Sequence, residues 1–173
     1  MNQKRFNMNT ELSKRKYYAK KIVKYGMNRP FYRLISHETF AGVSTKFIYG
    51  NECAKLYDVP GYYTIYRKFR VKLECLYVGK TDQSLYGRIN RWAKGVNGSL
   101  RSDENHSAAT KARRDGVRLS DELFIKYITM DEADLLVDDI DIRCEPLDEW
   151  IAPLLKSKYN YKTFNTGLES FFE

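Results

Sequence analysis

The stretch from Pro60 to Gly79 limits most what this chain can fold into. Pro60-Gly61 is a strong turn signal. Tyr62-Tyr63-Thr64-Ile65-Tyr66 then runs through aromatic and β-branched residues, and Leu73-Glu74-Cys75-Leu76-Tyr77-Val78 resumes that character beyond a charged stretch from Arg67 to Lys72. Two such runs read as the strands of a β-hairpin. A hairpin is marginal in water by itself and must be covered by further strands or helices.

The cover is legible downstream. Ser84 can cap a helix on which Leu85, Ile89 and Trp92 fall at i, i+4 and i+7, with Gly95 as its stop. Asn97-Gly98 reads as a turn, a second helix is predicted over 103–114 between Ser102 and Gly116, and Leu123 to Met130 reads as a third strand. The acidic run Asp131 to Asp141 reads as a short helix and loop. A last helix is predicted from about Pro146 to Lys158, its stripe formed by Leu147, Trp150, Ile151, Leu154 and Leu155. Upstream, residues 10–25 read as a helix ended near Gly26, with Leu12, Tyr18, Ile22 and Tyr25 on one face, and residues 27–57 show no clear pattern. The expected class is therefore α+β: a small sheet of about three strands flanked by helices, at 58–173, preceded by a basic helical extension at 1–57.

Charge is unevenly placed. The chain of 173 residues carries a net charge of +8, with nine basic residues and one acid among residues 1–30, and fourteen acids against seven bases among residues 101–150. A basic face attracts polyanions, nucleic acid first among them. In Lys14-Arg15-Lys16-Tyr17-Tyr18-Ala19-Lys20-Lys21, cations alternate with tyrosines that can bond phosphate or stack on bases. These lysines and Arg15, with Arg91, are the expected DNA contacts. The acidic segment is expected to face away from DNA or to lend it carboxylates.

Several classes are excluded. No apolar run approaches the roughly 20 residues that cross a bilayer. The segment Met1-Asn2-Gln3-Lys4-Arg5 lacks the apolar stretch of a secretory signal, so a cytoplasmic, prokaryotic setting is expected. Cys53, Cys75 and Cys144 are odd in number and widely spaced, which suits buried thiols better than disulfides or zinc.

Gly61-Tyr62-Tyr63, then Tyr77-Val78-Gly79, then Arg88 on the following helix form an ordered set. It resembles the GIY-YIG nuclease family, with GYY and YVG in place of the two triplets. Glu149 in Asp148-Glu149-Trp150-Ile151 and Asn165 in Phe164-Asn165 stand where the family has a glutamate and often an asparagine, so the resemblance covers about residues 60–166. It implies phosphodiester hydrolysis, with a tyrosine phenolate as base, the arginine on the phosphate, and one Mg²⁺ (Mn²⁺ as substitute) anchored by Glu149. Mg²⁺ often binds through one carboxylate with waters and phosphate oxygens, so a lone glutamate suffices. Tyr63 is the preferred base and Tyr77 its positioning partner, although the two roles could be exchanged. Lys80 follows the second triplet as a phosphate contact. Tyr86, His106 and Asn165 are auxiliaries, and His106 is more simply a structural residue. Glu149 lies about 200° round its helix from Leu147, away from the apolar stripe, and could serve a neighbouring subunit's site.

The near-minimal size looks most like a small type II restriction endonuclease. Such an enzyme would cut double-stranded DNA at a short palindrome as a homodimer, beside a cognate methyltransferase. A repair or mobile-element nuclease is the nearest alternative, and a non-catalytic nucleic-acid-binding protein the contrasting one.

Overall fold

Helix α1 (Gln3–Met27) leads into strands β1 (Tyr32–Glu38), β2 (Thr45–Ile48), β3 (Gly61–Phe69) and β4 (Lys72–Thr81). Helices α2 (Leu85–Asn97) and α3 (Ser107–Arg114), strand β5 (Glu122–Thr129), helix α4 (Met130–Asp134) and the two-residue β6 (Asn160–Tyr161) complete the order. This computed structural model describes residues 3–38, 45–48, 56–100, 106–137 and 160–161. The expected last helix, with Glu149, and Asn165, Cys53 and Cys144 lie outside the described residues.

The protein is α+β. Its centre is an antiparallel sheet in the order β1-β5-β3-β4, extended by β2 beyond β1 and by β6 parallel to β4. The sheet is thus wider than the three strands expected. The additional strands come largely from residues 27–57, where β1 reads Tyr-Arg-Leu-Ile-Ser-His-Glu and carries little alternation in its second half. Pairing with β5, remote in sequence, makes it a strand.

The sheet is covered on both sides. Tyr63, Ile65, Leu76 and Tyr77 pack with Leu85, Ile89 and Trp92 of α2 and the alanines of α3. Tyr62, Tyr66, Cys75 and Val78 pack with Tyr18, Ala19 and Ile22 of α1 and Met130 and Ala133 of α4. Each large side chain fully buried here contributes about 1.5–3 kcal/mol. Burial also pushes the Cys75 thiol far up, so it stays protonated and inert. The basic N-terminal segment is therefore applied to the sheet: α1 supplies one layer and β1 supplies a strand.

Several boundaries shift for local reasons. Gly95 lies inside α2, which ends at Gly98 in the left-handed conformation, φ 78°. Gly95 serves packing instead, since a Cβ there would sit 2.6 Å from the Ala109 Cβ of α3. Helix α3 begins later than expected, because His106 caps it through Nδ1 to the Ala109 N–H at 3.4 Å. Met130 leaves the strand for α4, which Thr129 and Glu132 start with a reciprocal capping box. Arg67 and Lys68 belong to β3, held by Glu74 at 2.7 Å and Glu122 at 3.3 Å.

The acidic segment is partly spent on internal cations. Glu132 pairs with Arg29 at 3.0 Å and accepts from Tyr25 Oη at 3.3 Å, tying α4 to the end of α1. Asp121 lies 3.5 Å from Arg67.

Candidate active site

Tyr63 sits on β3, a strand bonded on both sides, opposite Gly79 of β4 and Tyr127 of β5. Its side chain faces α2 and is 1% exposed. The ring lies across Gly79, where an added Cβ would come within 2.6 Å of both Cζ and Oη. The glycine of the second triplet is thus required by the tyrosine of the first. Gly61 has a matching reason: a side chain there would run into the Ile128 carbonyl.

Tyr77 reaches the same face through an irregularity. Ile65 pairs with Tyr77 but Tyr66 pairs with Cys75, so Leu76 is an extra residue on β4. This β-bulge puts Leu76 and Tyr77 on one side of the sheet, where simple alternation would separate them. The Tyr63 and Tyr77 rings come to 5.7 Å between centroids, tilted at 55°. His106 meets the Tyr77 ring edge-on at 5.3 Å. Arg88, one turn beyond the Ser84 cap, stands close enough to act electrostatically on both Tyr63 and His106. Four residues far apart in sequence thus share one place.

The polar atoms of this cluster are under-satisfied. Tyr63 Oη, Arg88 Nε and His106 Nε2 are buried without a hydrogen-bond partner, as are Asn90 Oδ1 and Trp92 Nε1 on the same helix as Arg88. An unmet buried donor or acceptor costs about 1–3 kcal/mol, so a cluster of them invites a functional explanation. Burial raises the Tyr63 hydroxyl well above its ordinary value, Tyr77 raises it further, and Arg88 pulls the other way. The protein alone therefore keeps Tyr63 protonated, and cations lower the cost of its phenolate. His106 is pushed down to about 4, first by burial and then by Arg88 and Arg91. Its ring is neutral near pH 7. Because Nδ1 accepts the cap bond, the remaining proton is assigned to Nε2, a buried donor without a partner.

The other expected residues are placed differently. Lys80 pairs in register with Tyr62, on the α1 side, and its amine lies 3.3 Å from Asp82. The geometry does not bring it to Tyr63. Tyr86 stacks on Tyr57 at 4.2 Å and 27°, half a turn before Arg88. Arg91 is exposed on α2. Lys14, Arg15, Lys16, Lys20 and Lys21 ride on α1, behind the opposite face of the sheet from Tyr63, with Lys21 drawn over the Tyr17 ring at 4.8 Å. Glu149 and Asn165 lie outside the described residues, and among the described residues no three metal-ligating side chains cluster.

Sequence reasoning missed Tyr127. Its register opposite Tyr63 depends on a non-local strand pair, and its stack on Tyr32 at 5.4 Å depends on β1. Neither pairing leaves a local signal. Compared with family models, curated proteins and solved structures, the chain matches none.

Proposed function

We propose that this chain is a metal-dependent endonuclease of the GIY-YIG type that hydrolyses phosphodiester bonds in double-stranded DNA. What supports the reading most is the meeting of Tyr63, Tyr77, Arg88 and His106, with three of their buried polar atoms left open. A phosphate oxygen and an attacking water are ligands that such atoms can satisfy. Arg88 would take a non-bridging phosphate oxygen, and the neutral His106 would donate from Nε2 to the same group or to the water. Tyr63, as phenolate, would remove one proton from the water as its oxygen bonds to phosphorus. The P–O3′ bond breaks, and the 3′ oxygen leaves with the electron pair. Tyr77, packed between Tyr63 and His106, fixes both rings. Mg²⁺ held by Glu149, with Mn²⁺ as substitute, would supply a Lewis acid beside the leaving oxygen.

The phenolate is the demanding step. Tyrosine ordinarily loses its proton near pH 10, and burial makes Tyr63 worse. Arg88 is the charge in the described cluster that opposes this. Base action by Tyr63 would therefore need a further positive charge beside Arg88, which Mg²⁺ held by Glu149 could supply.

Within that chemistry, a type II restriction enzyme is the reading we favour, supported by the basic helix packed on the sheet. It would act as a homodimer on a palindrome, one core per strand, in a cell whose methyltransferase protects the same site. The test is incubation with unmethylated phage-length duplex, with Mg²⁺ or with EDTA. Sharp fragments only with Mg²⁺ support a restriction enzyme. Cutting confined to flaps or junctions would move the chain to the repair or mobile-element nucleases. Metal-independent binding with no cutting of any substrate would make it a binding protein.

A further inference from the structure

The turn at the far end of the β3–β4 hairpin disobeys the preferences that shape such turns. Phe69 pairs with Lys72, so Arg70 and Val71 alone make the turn. Arg70 has φ 57°, and it is the one non-glycine residue with positive φ among the described residues. Two-residue hairpin turns place glycine, asparagine or aspartate there, because other side chains are strained. Val71 is β-branched, apolar and 94% exposed. Phe69 is 49% exposed, with the Arg67 and Arg70 guanidinium groups over its ring at 5.1 Å and 5.6 Å. Lys68 and Lys72 flank the tip, and no acid occurs from Lys68 to Leu73. Neither the strained Arg70 backbone nor the exposed Val71 is what folding favours at such a turn, and a strained backbone under an exposed apolar knuckle is a reason to look for a ligand.

The position of the tip narrows the ligand. Tyr63, Ile65, Arg67 and Phe69 alternate along β3 onto one side of the sheet, so Phe69 shares the face of the candidate active site. Seven residues separate Tyr63 from Arg70, about 23 Å along a strand. A two-stranded ribbon fits the DNA major groove, where arginine reads guanine edges and apolar groups contact thymine methyls. Lys72, and Lys68 in exchange for its 3.3 Å pair with Glu122, would reach the bordering phosphates.

We propose that this tip docks in the major groove of the duplex being cut, with Arg70 and Val71 against base edges and Lys68 and Lys72 on phosphates. This rests on the nuclease reading. The tip is a specificity element outside the catalytic cluster.

The test uses the full chain, a labelled duplex containing the cut site, and EDTA to stop cleavage. Arg70→Gly and Val71→Ser are measured for thermal midpoint, affinity and salt dependence. Arg70→Gly should melt at the same or a higher temperature, because glycine relieves the turn. Its affinity for the site duplex should nonetheless fall about tenfold, and by more than its affinity for a random duplex. A purely structural turn predicts no such opposition of signs. Val71→Ser should weaken the site duplex more than a random one. Binding within about twofold of the parent for both variants overturns the docking proposal while leaving the nuclease reading intact, provided that the parent cuts. A parent that neither binds nor cuts DNA overturns both. Unchanged DNA binding with lost binding to phosphatidylserine vesicles would assign the tip to a membrane surface and also overturn it.

Discussion

Tyr62 and Tyr63 are neighbours on β3, and they end in opposite environments. Tyr62 is buried against α1 and α4, in a layer built from Tyr18, Ile22, Val78 and Met130. Tyr63 is buried against α2, where its hydroxyl lies close to Tyr77 and Arg88 without a well-formed hydrogen bond. The α1 layer is packed mainly by apolar side chains, with Lys16, Lys20 and Lys24 exposed outside it and Arg29 Nε buried without a hydrogen bond at the end of the helix. The α2–α3 layer encloses polar atoms that the protein leaves open. Among the described residues, buried polar atoms without a hydrogen bond thus gather more around Tyr63 in front than behind the sheet.

The largest expected effect tests that contrast directly. Tyr63→Phe should lower the cleavage rate by about a thousandfold, the scale of a lost general base. It should leave the thermal midpoint unchanged or raised, because it removes an unsatisfied hydroxyl. Tyr62→Phe should leave cleavage within about threefold. Equal losses from both variants, measured on one duplex with Mg²⁺, would break the division of the faces.

How far the sequence reveals this division depends on range. The two strands around the hairpin, the Ser84 cap and the face Leu85–Ile89–Trp92 are local patterns, and they stand as read. Arg88 follows from that helix. The bulge at Leu76 has no comparable signal, because Leu-Tyr-Val alternates in neither register, and only the pairing shows Tyr77 joining Tyr63. Lys80 illustrates the limit. Its place beside the second triplet suggested a phosphate contact, but the period of two turns it to the other face. His106 was more legible as structural, and the ring that caps α3 through Nδ1 also lies edge-on against Tyr77.

Acid should therefore affect the two faces unequally. His106 in the folded protein takes a proton only near pH 4, against 6.5 ordinarily. Between those values the unfolded chain binds more protons than the folded one. The contribution is complete above about pH 6.5 and is lost as pH falls toward 4, up to ~3 kcal/mol. His106→Asn keeps a capping oxygen and has no titration there, so its stability should be flatter across that window. Denaturant unfolding at pH 7 and pH 4.5 measures the difference. A wild-type slope that survives in His106→Asn would remove His106 as its source.

Gly79→Ala is the next smaller effect. The added methyl meets the Tyr63 ring at 2.6 Å, so the ring or the strand must move. The cost should be about 1–3 kcal/mol of stability, with a fall in cleavage larger than the fall in stability explains. Tyr63→Phe with Gly79→Ala should still clash at Cζ, so the stability losses would not cancel. A fully active, fully stable Gly79→Ala enzyme would show that the ring need not lie across the strand.

The smallest effect on chemistry belongs to the rear face. Lys16, Lys20 and Lys24 project at i, i+4 and i+8 on the outer side of α1, beside Tyr17 at 55% exposure. The sheet lies between them and Tyr63, so they cannot touch the phosphate being cut. They can hold flanking DNA that curves past the sheet edge, or draw it in over a distance. Reversing all three to glutamate should weaken binding by about a hundredfold or more at low salt and flatten the salt slope by about three. The loss should fall on kcat/KM and shrink as salt rises, since counterion release is what those charges supply. A loss of kcat as deep as that of Tyr63→Phe would place α1 within reach of the scissile phosphate. The two faces would then be one continuous surface around the sheet edge, and the separation of binding from chemistry would fail.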